Sequence, residues 1–418
     1  MKRTSKVIAL SLALTMCFAT VVLASGPITS PEDGVSVQLS IHKQLIMPRE
    51  TTTPVTTFRF DAERISVDGV ATPEARTTMP DLNTLKTLSV NYVATDTGTL
   101  DADTNLVTIP KQTEDLFAGV NFPHAGVYIY RITEAPNTNT EIDGNKPHEI
   151  LNYSQAVFEL EVHVANNEAG TARYVRYVVI RDVTPDEEGN PPTAERKVGQ
   201  LLFINDYVKT NTVTEPGNNS TVDISKTVTG DLGNRDMLFD FSMTLTPPIL
   251  VTPTPAFYKA YVVAGTAVLT DITENAAGSP TDSDAMGPYI RISTSGATNF
   301  RLKHGQRLVF VDTPVGTEYT VTEAATQGGH ISSVIVTMAG ETVTTENNTL
   351  TNVERPTGQQ FVGEPTNSAA FTNRRDSVVP TGVNMNDLPF LGLIVLPIGA
   401  LIGFVGIKSR RKNYTAGR

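Results

Sequence analysis

Three kinds of side chain that together could make a new amide recur twice in this chain, in the same order. A lysine opens each set (Lys43, Lys226), a Thr-Glu-Ala run follows (Thr133-Glu134-Ala135, Thr322-Glu323-Ala324), and a Phe-x-Asn run closes it (Phe203-Ile204-Asn205, Phe371-Thr372-Asn373). A Phe-x-Phe pair falls after each lysine, at Phe58-Arg59-Phe60 and Phe239-Asp240-Phe241. Four elements repeated in one order indicate duplication of a single domain type. The chemistry open to them depends on burial. An ammonium has no lone pair and does not attack a carboxamide. Among apolar groups a lysine sheds its charge more readily, and a carboxyl in the same pocket holds its proton more tightly. Neutral amine and carboxylic acid can then act on a carboxamide carbon, the acid polarising the carbonyl and relaying protons. The alternative for the same residues is a buried Lys-Glu salt bridge, with each asparagine capping a turn.

Strands would put these groups where the chemistry needs them. Leu39 and Ile41 share a face with Lys43, as Val222 and Ile224 do with Lys226, and Phe203 and Phe371 each stand two residues before an asparagine, on its face. A lysine on an apolar strand face is uncommon unless it is paired. Alternating runs continue at Val127–Ile132, Ala156–Val164 and Tyr174–Ile180, and in the second half at Leu308–Val311 and Glu318–Glu323. Turn-rich pieces separate them, notably 136–147 and 184–192. The pattern predicts an all-β chain of two tandem antiparallel sandwiches, residues 25–210 and 221–377, joined by a polar linker at 211–220. The stretches 278–287 and 344–368 are poor in apolar residues and are expected to be long loops.

The ends read as export and anchoring signals. Residues 1–24 begin with Lys2, Arg3 and Lys6, continue through an apolar run and end Val22-Leu23-Ala24, as a secretory signal peptide does. Cleavage there removes Cys17, the one cysteine, so the exported chain has no disulfide and no cysteine nucleophile. At the other end, residues 383–418 hold an uncharged segment, Pro389 to Ile407, followed by Lys408, Arg410, Arg411 and Lys412. That order stops translocation with the basic cluster in the cytoplasm and the body outside. A net charge of −11 argues against a nucleic-acid partner. The six histidines are scattered without metal-ligand spacing, Asp223-Ile224-Ser225-Lys226-Thr227 is a bare metal pattern inside a strand, and Glu187-Glu188 falls in a loop. Neither metal nor cofactor is expected.

Ahead of the apolar segment stands Val378-Val379-Pro380-Thr381-Gly382. Motif, apolar segment and basic tail together resemble the sorting signal of Gram-positive surface proteins. The common pattern there is Leu-Pro-x-Thr-Gly, and here the proline stands one place late. The resemblance implies cleavage by a sortase between Thr381 and Gly382, with the Thr381 carboxyl passed to an amine. The repeated body resembles the immunoglobulin-like domains of streptococcal-type major pilins, which form intramolecular Lys-Asn isopeptide bonds. By position the resemblance implies bonds from Lys43 to Asn205 and from Lys226 to Asn373, with Glu134 and Glu323 as proton relays. It also implies covalent head-to-tail polymerisation through a lysine, for which Lys197 matches best and Lys209 is second. Expected partners are a pilus or housekeeping sortase, neighbouring copies of the chain, minor pilins and peptidoglycan, at the cell surface. The chain would be a sortase substrate that cross-links itself once, and no turnover enzyme. Two alternatives keep the same domains: a monomeric wall-anchored protein or minor pilin, and a ligand-binding adhesin that uses the loops 278–287 or 344–368.

Overall fold

A computed structural model describes residues 27–377 apart from 86–87, 136–147, 195, 211–215, 218–219, 326–328, 352 and 365. The expected signal peptide, sorting motif and apolar tail lie outside the described residues. Among those described, no helix is long and apolar enough to cross a membrane.

The first half runs β1 (Ile28–Thr29), β2 (Ile41–Pro48), β3 (Thr56–Val67), α1 (Pro73–Thr78), α2 (Leu82–Leu85), β4 (Ser89–Tyr92), β5 (Thr99–Asp101), β6 (Leu106–Gln112), β7 (Gly126–Glu134), β8 (Glu149–Asn152), β9 (Val157–Asn166), β10 (Arg173–Asp182), β11 (Lys197–Val198) and β12 (Leu201–Lys209). One sheet has the order β1-β10-β9-β7-β3-β4, with β11 on the outer edge of β10; the other has the order β5-β6-β2-β12-β8. Strand alternation builds the core between them. In β9, Phe158, Leu160, Val162 and Val164 point inward while the residues between face out. The two short helices were not apparent from the sequence pattern. Thr72 caps the first by accepting from the Ala75 N–H, and Pro73 starts it.

The second half repeats the plan: β13 (Val222–Thr229), β14 (Phe239–Thr246), β15 (Phe257–Ala264), β16 (Ala267–Val268), β17 (Thr281–Asp284), β18 (Gly287–Ser293), β19 (Thr298–Leu302), β20 (Gln306–Phe310), β21 (Glu318–Glu323), β22 (Ile331–Met338), β23 (Glu341–Thr351), β24 (Arg355–Pro356), β25 (Gln360–Phe361) and β26 (Ser368–Arg374). One sheet is ordered β17-β18-β15-β20-β13-β26-β22-β23 with β16 on β15, and the other β19-β14-β21-β24 with β25 also on β21. Phe239, Phe241, Met243 and Leu245 alternate inward along β14. The chain is thus all-β, two tandem immunoglobulin-like sandwiches. The expected loops need correction. Stretch 278–287 contains β17, which pairs with β18, and 344–368 contains most of β23 with β24 and β25. β17 is a polar edge strand with no apolar alternation to reveal it, and β24 and β25 are only two residues long.

The feature that matters most is shared by both halves. The first long strand and the last strand of each half lie side by side and parallel, β2 with β12 and β13 with β26. Lys43 pairs with Phe203 and Leu45 with Asn205; Lys226 pairs with Phe371 and Val228 with Asn373. Lysine and asparagine are therefore two residues out of register on neighbouring strands, which puts both side chains on one face.

The halves also touch. The Val315 N–H donates to the Lys209 carbonyl at 2.9 Å, Lys209 Nζ lies 2.7 Å from Glu364 Oε2, and the Thr52 N–H donates to Glu364 Oε1 at 2.5 Å. The Arg49 guanidinium sits 3.9 Å from the centroid of the Phe361 ring. Gly316, at φ +79°, packs so closely here that a Cβ would come within 2.5 Å of Pro48 Cβ.

Candidate functional site

In each sandwich one sheet supplies the lysine and asparagine, and the facing sheet supplies the glutamate at the end of a strand, β7 or β21. The core separates the sheets, so the three groups meet inside it. In the first domain Lys43 Nζ lies 2.9 Å from both carboxylate oxygens of Glu134, and Asn205 Nδ2 donates to Glu134 Oε1 at 2.8 Å. Lys43 and Asn205 are wholly buried, and the Glu134 side chain is 1% exposed. Lys43 Nζ stands 4.4 Å from the centroid of the Phe58 ring, while Phe60 and Phe158 pack on Phe203 at 5.0 and 5.2 Å. The repeated Phe-x-Phe and Phe-x-Asn runs thus supply the walls of the pocket.

The second domain reproduces this geometry. Lys226 Nζ lies 2.5 Å from Glu323 Oε1, and Asn373 Nδ2 donates to the same oxygen at 2.7 Å. Phe239 and Phe241 stand 4.2 and 5.7 Å from the Lys226 nitrogen, and Phe241 meets Phe371 edge-on at 5.2 Å. In both pockets the amine and the carboxamide nitrogen share one carboxylate oxygen, so the carboxyl bridges the attacking and the departing nitrogen.

Burial dominates the electrostatics. It pulls Lys43 down to about 8, against the attraction of Glu134 and Asp206 for the charged form. Burial likewise pulls Lys226 down to about 8, against Glu323. The same desolvation pushes the Glu323 carboxyl up, opposed by Lys226, the Asn373 hydrogen bond and Arg355. Asp206, beside Asn205, is raised to about 6 by burial, with Lys43 opposing. In the second domain, an amine that sheds its proton near pH 8 beside a carboxyl that resists losing its own fits nucleophilic attack with acid assistance.

Two contacts escaped the sequence. The Ser154 N–H donates to Asn205 Oδ1 at 2.7 Å, placing a backbone dipole on the carbonyl that attack would charge. Ser154 lies in the short connection between β8 and β9, and no motif marks it. Arg355, 7% exposed, pairs directly with Glu323 across β21 and β24. It falls in the stretch 344–368, whose composition predicts a loop and so gives no register.

The candidate polymerisation lysines part company. Lys197 is exposed on β11 at the outer edge of the first domain, opposite Arg181 of β10. Lys209 is held by Glu364 in the contact between the halves. Val378, Val379, Pro380, Thr381 and Gly382 lie outside the described residues. Just before them, the Ser377 N–H donates to Asp231 Oδ1 at 2.6 Å and its hydroxyl to Oδ2, fixing where the chain leaves the sandwich.

With this geometry established, four known proteins or families bear comparison. A domain of unknown function, DUF7601, matches residues 220–375, essentially the second sandwich. A pilin of Streptococcus pyogenes serotype M1 is 25% identical over 304 residues, spanning 72% of each protein. The chain resembles a Gram-positive major pilin subunit. Among solved structures, the major pilin from Streptococcus pyogenes is 20% identical, with 82% of this chain and 99% of that one covered at a TM-score of 0.31. A pilus-presented adhesin, 16% identical, covers 53% of this pilin-like chain and 37% of its own length at a TM-score of 0.23.

Proposed function

We propose that the chain is the shaft subunit of a covalent pilus on a Gram-positive surface: exported, cross-linked within each domain, polymerised head to tail by a sortase and finally attached to peptidoglycan. The observation that carries this reading is the twofold burial of a lysine and an asparagine on neighbouring strands against a glutamate from the facing sheet. A salt bridge alone would account for lysine and glutamate. It leaves unexplained why a carboxamide shares the same carboxylate oxygen in both domains.

The reaction balances without an oxidant or cofactor. Lysine gives up a proton, its nitrogen attacks the asparagine Cγ, and the carboxyl polarises the carbonyl oxygen while relaying protons. The bond from Cγ to Nδ2 breaks, so ammonium plus a secondary amide replaces alkylammonium plus carboxamide. Folding supplies the proximity that makes a slow reaction usable. Each domain reacts once, so the chain is a self-modifying structural protein and no turnover enzyme. In the Ser154 N–H the first domain has a donor where the oxyanion would form.

Between subunits, the Thr381 carboxyl would join Lys197. Exposure at a sheet edge favours that lysine over Lys209, which is committed to the contact between domains. Tension entering at Thr381 would reach the cross-link at Asn373 within a few residues and pass through covalent bonds without unzipping the strands between. Sortase, neighbouring copies, minor pilins and peptidoglycan are the corresponding partners. Mass spectrometry of the intact protein tests the internal bonds: the mass falls short of the sequence mass by two ammonias, and a full sequence mass overturns them. A denaturing gel of wall extracts tests polymerisation. Wild type gives a high-mass ladder, and a ladder that survives Lys197→Ala would show that another lysine is used.

A further inference from the structure

Cross-linking changes the charge inside the pocket, and the two domains meet that change differently. Before reaction, Lys226 is the cation beside Glu323. Afterwards its nitrogen belongs to a neutral amide, and one of two balances must hold. Either ammonia departs and leaves the carboxyl protonated, or ammonium departs and leaves a buried carboxylate. A buried carboxylate with no cation near it is costly and takes up a proton instead.

We propose that Arg355 takes over from Lys226 as the counter-ion of Glu323 once the cross-link has formed, so that the second domain ends the reaction with an ionised carboxylate. Arg355 and Glu323 are directly opposed across antiparallel β24 and β21, which sets their side chains on the same face about 5 Å apart at Cβ. Both are buried, at 7% and 1% exposure. A guanidinium stays charged throughout the pH range in which proteins fold. It also acts on this carboxyl already, pulling it toward the ionised form against burial. The other groups facing Glu323 cannot play this part. Lys226 from β13 is consumed, Asn373 of β26 is neutral, and Phe241 of β14 is apolar. Two histidines stand at this end with other neighbours: His330 packs edge-on against the Phe239 ring at 5.7 Å, and His304 Nδ1 accepts from the Val228 N–H at 3.0 Å. In the first domain, β9 takes the corresponding place beside β7. It sets Val157 opposite Thr133 and, among the described residues, brings no cation to Glu134.

This inference rests on the cross-linking reading, and one sample set separates the two. The full chain is labelled with carbon-13 at glutamate side-chain carboxyls, and its intact mass is read first. If the mass shows no ammonia lost, the reaction falls and this inference with it. With the bonds present, the Glu323 resonance, assigned through Glu323→Gln, is read at neutral pH. Wild-type Glu323 resonates as carboxylate, Arg355→Met shifts it to the carboxylic acid position, and Arg355→Lys returns it, while the Glu134 resonance stays where it was. A merely structural arginine would not move a protonation state and be rescued by lysine. Glu323 found as an acid in cross-linked wild type overturns the proposal, and that reading stands even if Arg355→Met does not accumulate. Carboxylate persisting in cross-linked Arg355→Met overturns it too.

Discussion

The two pockets hold the same three groups in nearly the same geometry and differ in what stands behind them. In the first domain a backbone N–H, from Ser154, reaches the carbonyl oxygen of the asparagine. In the second, a buried arginine pairs in register with the glutamate. One domain supports the electrophile, and the other supports the acid. Duplication fixed the lysine, glutamate, asparagine and phenylalanine walls, because the proposed chemistry needs all of them in contact. The charge balance around them depends on one further neighbour, which each sandwich takes from a different connection.

Removing the electrophile from either pocket gives the largest effect and measures the two domains against each other. Asn205→Ala and Asn373→Ala should each restore one ammonia to the mass. Each should also destabilise its own domain by roughly 4–5 kcal/mol, the chain-entropy value for a closed loop of about 150 residues. Calorimetry resolves which transition moves; a transition that does not shift would mean that the bond in that domain carries no stability.

Those variants also expose the buried lysines to titration. Lys43 and Lys226 fall from the ordinary 10.5 to about 8 in the folded chain, so between pH 8 and 10.5 the unfolded chain binds more protons. Stability of the uncross-linked domains should therefore rise with pH across that window and be lost again as pH falls through 8. In a cross-linked wild type the lysine nitrogens would be amides, and that slope should be missing. Equal slopes in variant and wild type, from denaturant melts at pH 8 and 10, would sink the assignment.

A smaller effect tests the asymmetry directly. Ser154→Pro deletes the N–H at the Asn205 carbonyl. It should slow cross-linking in the first domain by about 10²-fold, the usual consequence of losing one such donor, and leave the second domain at its own rate. Mass followed over time after refolding separates the two steps, and an unchanged first-domain rate would remove Ser154 from the mechanism. The least effect belongs to Lys209→Ala. Its pairing with Glu364 is partly exposed, so its loss should cost less than about 1 kcal/mol and leave the pilus ladder intact. A vanished ladder would exchange the roles given to Lys197 and Lys209.

The sequence by itself picked out the residues that the fold brings together in each pocket. Lys43, Glu134, Asn205 and their second copies were legible because a repeat shows which positions are held together, and because a lysine on an apolar strand face needs an explanation. Alternation likewise marked the core strands, such as β9 and β14, since a face that enters a core must be apolar at every second residue. Only the tertiary structure decided the rest. Period-two patterning says which face a residue occupies and nothing about which strand lies beside it. The parallel pairing of first and last strands, the glutamate in the opposite sheet, the N–H of Ser154 and the register of Arg355 against Glu323 each depend on contacts between segments far apart in the chain. Polar edge strands such as β17 and β23 escaped for the same reason. Their place is fixed by backbone hydrogen bonds to a neighbour, and backbone groups are identical whatever the sequence.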